Sequence, residues 1–197
     1  DNDMFFEIVS GRDLLAGNFE TASHLDNFPM TVQQGLYAVC LAIFDNLGYI
    51  GHILLVFIQD VILLLLSVIF IKMKSNHSIK IALISSLGAL LFCSEYLINV
   101  RPQIITMILL LTELILLEQY IKHNQDIKYL FMIIPVLILS ANFHQGIFLY
   151  HIMFLIPYYI KPSSKYYLDF KLLLTTPIYI LCSLFTPYKL DGALYIF

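Results

Sequence analysis

The chain has 197 residues, of which 59% are apolar and only 13% charged, and its mean hydropathy is +0.82. Soluble domains run at about 45–50% apolar and about 25% charged, and disordered chains need low hydrophobicity with high charge, so both classes are excluded. The net charge of −3 offers no general attraction for nucleic acid, and no nucleic-acid partner is expected. What remains is an all-α, polytopic helical membrane protein. The chain opens on Asp1 and stops at Leu194-Tyr195-Ile196-Phe197, where another apolar stretch begins. It is therefore expected to be a window of a longer protein.

Residues 1–49 are expected to form an extracytoplasmic loop, of which residues 1–35 are polar and turn-rich. Asp1, Asp3, Glu7, Asp13, Glu20, Asp26 and Asp45 face a single cation, Arg12, for a net −6. Short helices are expected at Phe5–Ala16 and Leu36–Leu47, the second apolar all round and suited to a membrane interface. Apolar runs long enough to cross follow at Ile50–Ile71, Ile79–Ile98 and Gln103–Ile121, since about 20 residues cover a hydrocarbon core. Two shorter segments, Lys128–Ala141 and Gly146–Ile160, are divided by Asn142-Phe143-His144-Gln145. Phe170–Pro187 is the last complete candidate, so about six transmembrane helices are expected within residues 50–197. Irregular backbone at membrane depth survives only when buried in protein or lining a wet cavity. The Asn142–Gln145 break is thus a candidate cavity wall.

Lys and Arg in short loops set the orientation. Lys72, Lys74 and Lys80, then Lys122 and Lys128, then Lys161, Lys165 and Lys171 occupy three alternate loops. Those loops are expected to be cytoplasmic. Residues 1–49, the Asn99–Gln103 turn, the Asn142–Gln145 break and Thr186–Asp191 then share the extracytoplasmic side.

Several groups on that side could do chemistry. Asp1 and Asp3 are close enough to bind a divalent metal or to supply a general base; a solvated acidic loop explains the pattern equally well. Arg101 precedes Pro102, which suits a first helical turn. Its guanidinium matches phosphate geometry, although an interfacial snorkelling role would also account for it. Asn142 and His144 could bind phosphate or relay a proton, or form a satisfied polar turn. Asp60, Glu95 and Glu113 lie within spans, where a carboxylate is expensive and a functional candidate; Asp60 and Glu113 could equally be protonated or bonded between helices. His24, His52, His77, His123 and His151 form no ligand-spaced cluster. Cys40, Cys93 and Cys182 form no CxxC pair, so neither a zinc site nor a disulfide framework is expected.

The loop Asp1-Asn2-Asp3-Met4-Phe5-Phe6-Glu7-Ile8-Val9-Ser10-Gly11, then Leu14-Leu15-Ala16-Gly17, then Leu25-Asp26-Asn27-Phe28-Pro29-Met30-Thr31, resembles the first extracytoplasmic loop of bacterial proteins in the C-type glycosyltransferase superfamily. Arg101-Pro102-Gln103, Asn142-Phe143-His144-Gln145-Gly146 and Thr186-Pro187-Tyr188 are similar to that group's R-P-Q, N-x-H-G-G and N-P-x-G segments, in the same order. The chain departs from the pattern at Glu7, at Gln145, at Gln33-Gln34-Gly35-Leu36 and in having no Trp.

The resemblance implies a multi-pass enzyme of the bacterial plasma membrane that serves cell-envelope polysaccharide biosynthesis. Such an enzyme moves a sugar from a polyprenyl-phosphate carrier to an acceptor outside the cytoplasm. Its partners are the lipid-linked donor and membrane lipids. Asp3, then Asp1, is implied as base or metal ligand, with Mg or Mn the divalent ion. Arg101, Gln103, Asn142, His144, Glu7 and Asp26 are implied to bind substrate or phosphate. The alternatives are a lipid-sugar or solute transporter, which also uses intramembrane carboxylates and broken helices, and a polysaccharide polymerase of the membrane.

Overall fold

The computed structural model describes residues 2–19, 21–22, 29–30, 35–75, 78–92, 100–161 and 167–190. Its elements are α1 (Asn2–Leu15), α2 (Gly35–Asp45), α3 (Tyr49–Ser75), α4 (Ile79–Phe92), α5 (Gln103–Lys122), α6 (Lys128–Phe143), α7 (Phe148–Leu155) and α8 (Phe170–Leu181). Short 3-10 turns flank α7 at Gln145–Ile147 and Ile156–Tyr158, and another follows α8 at Cys182–Leu184. Two antiparallel ladders of two residues per strand interrupt the helices. β1 (Thr21–Ala22) pairs with β2 (Pro29–Met30), Thr21 opposite Met30. β3 (Ile160–Lys161) pairs with β4 (Tyr167–Leu168), Ile160 opposite Leu168. The fold class is helical, as the composition predicts.

By length and composition, two described helices are long and apolar enough to cross a membrane. They are α3 and α5. The expected six spans are therefore met by two. The reason is geometric. At 1.5 Å per residue, a 16-residue helix such as α6 reaches about 24 Å, short of a hydrocarbon core of roughly 30 Å. The described part of the second expected span, α4, has 14 residues, and residues 93–99 lie outside the described residues. Helix α8 has 12.

The chain divides into two compact units, Asp1–Ile108 with Asn142–His144, and Leu109–Ala141 with Gln145–Phe197. In the first, α1 packs against α2, and α3 against α2 and α4. Their approach is close where Gly11 leaves no side chain: a Cβ there would collide with the Ala38 carbonyl and lie 2.9 Å from the Ala42 Cβ. Gly51 lets α3 pass the Phe44 carbonyl in the same way. The α2–α3 corner closes on Gly48 at φ 60°, a left-handed conformation that glycine adopts without steric cost. Polar groups tie the corner together. Arg12 donates to Asp45 Oδ2 at 2.6 Å, and the His52 Nε2 lies 3.0 Å from Asp45 Oδ1. The only cation of the acidic loop is thus spent on one carboxylate at the helix corner. Further along, Gly51, Leu55, Gln59 and Leu63 form the buried stripe of α3. They recur every four residues, which keeps them on one face.

In the second unit, the core is built from Leu117 and Tyr120 of α5, Leu130, Ile133 and Leu137 of α6, Phe148 and Leu155 of α7, and Leu172 and Tyr179 of α8. Asp169 caps α8, accepting from the Lys171 and Leu172 backbone N–H groups at 3.1 and 3.2 Å. The same carboxylate accepts from the Tyr120 hydroxyl at 2.9 Å and from Gln125 Nε2 at 3.0 Å. Gln125 itself has φ 61° in the α5–α6 turn, so one buried acid secures a helix start and a strained turn together. An Asp immediately before an apolar helix is an N-cap signal, and it was available in the sequence at Asp169-Phe170.

Candidate functional site

The first unit gathers segments that are far apart in the chain. One apolar cluster contains Ile8, Tyr37, Leu41 and Leu55, with Met4, Phe44, Val100, Ile105 and Phe143 packed on it. Val100 adjoins Arg101, and Ile105 sits on the first turns of α5 with Gln103. Phe143 lies between Asn142 and His144, and Ile8 follows Glu7. Apolar packing therefore draws three of the predicted segments to one place without any contact between their charges being needed.

Within this cluster Glu7 Oε2 is buried. Its charge, second to burial itself, raises the Tyr37 hydroxyl above the ordinary tyrosine range. The Tyr37 hydroxyl and Gln103 Oε1 are both buried without a hydrogen-bond partner among the described residues. Buried polar atoms are nearly always paired, so these two mark open hydrogen-bonding capacity. Arg101 is half-buried beside Pro102, whose carbonyl accepts the Thr106 N–H at 3.1 Å and so begins α5.

His144 is the one residue between α6 and the following 3-10 turn. The break predicted at Asn142–Gln145 is narrower than expected: α6 runs through Asn142 and Phe143, and Gln145 starts the next turn. The His144 Nδ1 lies 3.0 Å from Thr106 Oγ1. Burial pushes its pKa down to about 4, so the ring is neutral at physiological pH. A fixed cation for phosphate must then be Arg101, not His144.

Asp1 and Asp26 lie outside the described residues. Asp3 falls in the first turn of α1, with its side chain also outside them. Among the described residues no group of three or more His, Cys, Asp or Glu is placed to hold a metal ion. Glu95 and Cys93 lie outside the described residues as well, and Cys40 and Cys182 are free thiols.

A second polar constellation lies wholly inside the other unit. Glu113 Oε2 of α5 is 2.6 Å from His151 Nδ1 of α7, and His151 Nε2 is 2.6 Å from Ser140 Oγ of α6. Glu113 and His151 are 0% exposed and Ser140 is 1%. Glu113 Oε1 is buried without a partner among the described residues. Glu113 is thus bonded between helices, one of the alternatives the sequence leaves open, and its partner His151 belongs to no ligand-spaced cluster in the sequence. Thirty-eight residues separate the two, and no periodicity links positions on different helices. Asp60 stays apart on α3, its Oδ1 buried without a partner among the described residues.

Comparison of the chain with protein-family models, with curated proteins and with solved structures finds no match.

Proposed function

We propose that the chain is part of a membrane glycosyltransferase that moves a sugar from a polyprenyl-phosphate carrier to an acceptor hydroxyl on the extracytoplasmic face. The observation that carries this reading is the common apolar cluster of α1, the residues flanking Arg101-Pro102-Gln103, and Phe143. These are three of the four segments that resemble the motifs of the C-type glycosyltransferase superfamily, and a shared site requires them to meet. Further support comes from α3, where Ile50, Ile53, Leu54, Phe57 and Ile58 are exposed. Water disfavours so continuous an apolar surface, and lipid accepts it.

The chemistry assigns roles by charge. Arg101 receives the departing lipid phosphate, where a fixed cation stabilises developing charge. Gln103, Asn142, Glu7 and Asp26 supply hydrogen bonds to the sugar or phosphate. Asp3, with Asp1 beside it, acts as base or holds a divalent ion; no step here is routed through a metal. In the full-length protein, Asp3→Ala is expected to lower sugar transfer at least ~100-fold with unchanged expression. Undiminished transfer would remove Asp3 from the mechanism and this assignment with it.

One observation favours a transporter instead. The buried Glu113–His151–Ser140 chain has the composition of an intramembrane proton relay. That reading predicts proton-coupled flux of a solute into proteoliposomes with no sugar–phosphate bond broken.

A further inference from the structure

The Thr106 hydroxyl settles which nitrogen of His144 carries hydrogen. Thr106 Oγ1 lies 3.0 Å from the Pro102 carbonyl oxygen and 3.0 Å from His144 Nδ1. A hydroxyl has one proton to give. The carbonyl oxygen can only accept, so the proton goes to Pro102. The bond to His144 must then run the other way, from Nδ1–H to the Thr106 oxygen. In a neutral imidazole this leaves Nε2 with its lone pair. No hydrogen bond to Nε2 is present among the described residues, and the side chain is only half-buried.

We infer that His144 is the proton acceptor of this site: Thr106 and the Pro102 carbonyl hold its ring so that Nε2 takes the proton of the attacking hydroxyl. The inference rests on the transfer reaction proposed above. In that reaction the acceptor oxygen forms its bond to the anomeric carbon while its proton passes to Nε2. The bond from the anomeric carbon to the phosphate oxygen breaks, its electron pair leaves on the polyprenyl phosphate, and the imidazolium later releases the proton to water. Asp3 is then free for the metal-binding or orienting role.

The environment agrees with a neutral ring. On the elements packed in this cluster, Glu7 and Cys40 act electrostatically on Tyr37, and Arg12, Asp45 and His52 are bonded together. Asp60 stands beyond Leu55 on α3, and Arg101 precedes α5. None of these offsets the burial that acts on His144.

Diethyl pyrocarbonate reacts with neutral imidazole, so peptide-level mass spectrometry on the full-length protein tests the ring directly. Between pH 7.5 and 5.5, an ordinary histidine loses neutral form about tenfold. Free N-acetylhistidine in the same reaction should slow accordingly, while His144 should be modified at nearly the same rate at both pH values. A tenfold slowing at His144, or no modification at either pH, would overturn the inference whatever the enzyme does. In the transfer assay, His144→Gln should lower kcat at least ~100-fold with KM nearly unchanged; near-normal kcat in a folded variant also overturns it. If wild-type protein transfers no sugar while His144 still reacts as expected, the proposed function fails and the neutral, accepting ring stands.

Discussion

Replacing His151 by Ala is expected to be the most damaging single change in the second unit. The imidazole joins Glu113 and Ser140 at 2.6 Å on either side, and neither neighbour has access to water. Removing it strands a carboxyl group whose Oε1 already lacks a partner among the described residues. Breaking a buried pair from one side costs about 3–5 kcal/mol, because the remaining group keeps its full desolvation penalty. The variant should unfold roughly 6–20 °C lower in detergent. Glu113→Gln should cost much less, since an amide can still bond to the ring. Replacing Glu113 and His151 together by Met and Leu should recover most of the loss, because apolar residues of similar volume leave no carboxyl stranded and the Ser140 hydroxyl can turn to a carbonyl of its own helix. A His151→Ala protein as stable as the parent would mean that this chain of bonds does not hold α5, α6 and α7.

The second large effect lies at Gly11, where two principles oppose each other. In an exposed helix, Gly→Ala is favourable by about 1 kcal/mol. At Gly11 the added carbon meets the Ala38 carbonyl and the Ala42 side chain. Backbone cannot yield as a flexible side chain can, and overpacking typically costs about 1–3 kcal/mol. Gly11→Ala should therefore destabilise the α1–α2 pair despite the better helix former, and should loosen the Arg12–Asp45 bond one residue along. Gly88 on α4 has nothing within 4 Å of an added Cβ, and Gly88→Ala should be neutral or stabilising by up to about 1 kcal/mol. Thermal unfolding of the two variants side by side distinguishes sterics from propensity. Equal behaviour would contradict the close approach of α1 and α2.

What the sequence made legible follows from what each feature depends on. Helices α3 and α5 were readable at Ile50–Ile71 and Gln103–Ile121 because a long apolar run is local. The observed ends, Tyr49–Ser75 and Gln103–Lys122, extend past the apolar residues onto Lys72, Lys74 and Lys122, cations that suit helix C-termini. The loop helices expected at Phe5–Ala16 and Leu36–Leu47 correspond to Asn2–Leu15 and Gly35–Asp45. The count of spans was not legible, because apolar composition alone does not fix where a helix stops. The 3-10 turns at Gln145–Ile147 and Ile156–Tyr158 hold α7 to Phe148–Leu155 within the stretch read as Gly146–Ile160.

The candidate site was legible as a set of residues and not as an arrangement. Arg101, Gln103, Asn142 and His144 could be picked out singly, but the partner that orients His144 could not. Thr106 carries no motif, and its importance comes from being one turn after Pro102, with its hydroxyl already committed to that carbonyl. The Glu113–His151 pair and the Tyr120–Asp169 pair, 49 residues apart, were equally hidden. Such contacts depend on how helices pack, and a single sequence records packing only as apolar stripes.

Reconstitution of the full-length protein with a polyprenyl-phosphate sugar labelled in the sugar tests the central claim most directly. Sugar transfer predicts that label appears on an acceptor hydroxyl in step with release of unlabelled polyprenyl phosphate, and that both stop together in Asp3→Ala. Label that crosses the membrane with its bond to phosphate intact would contradict the glycosyltransferase reading and favour transport.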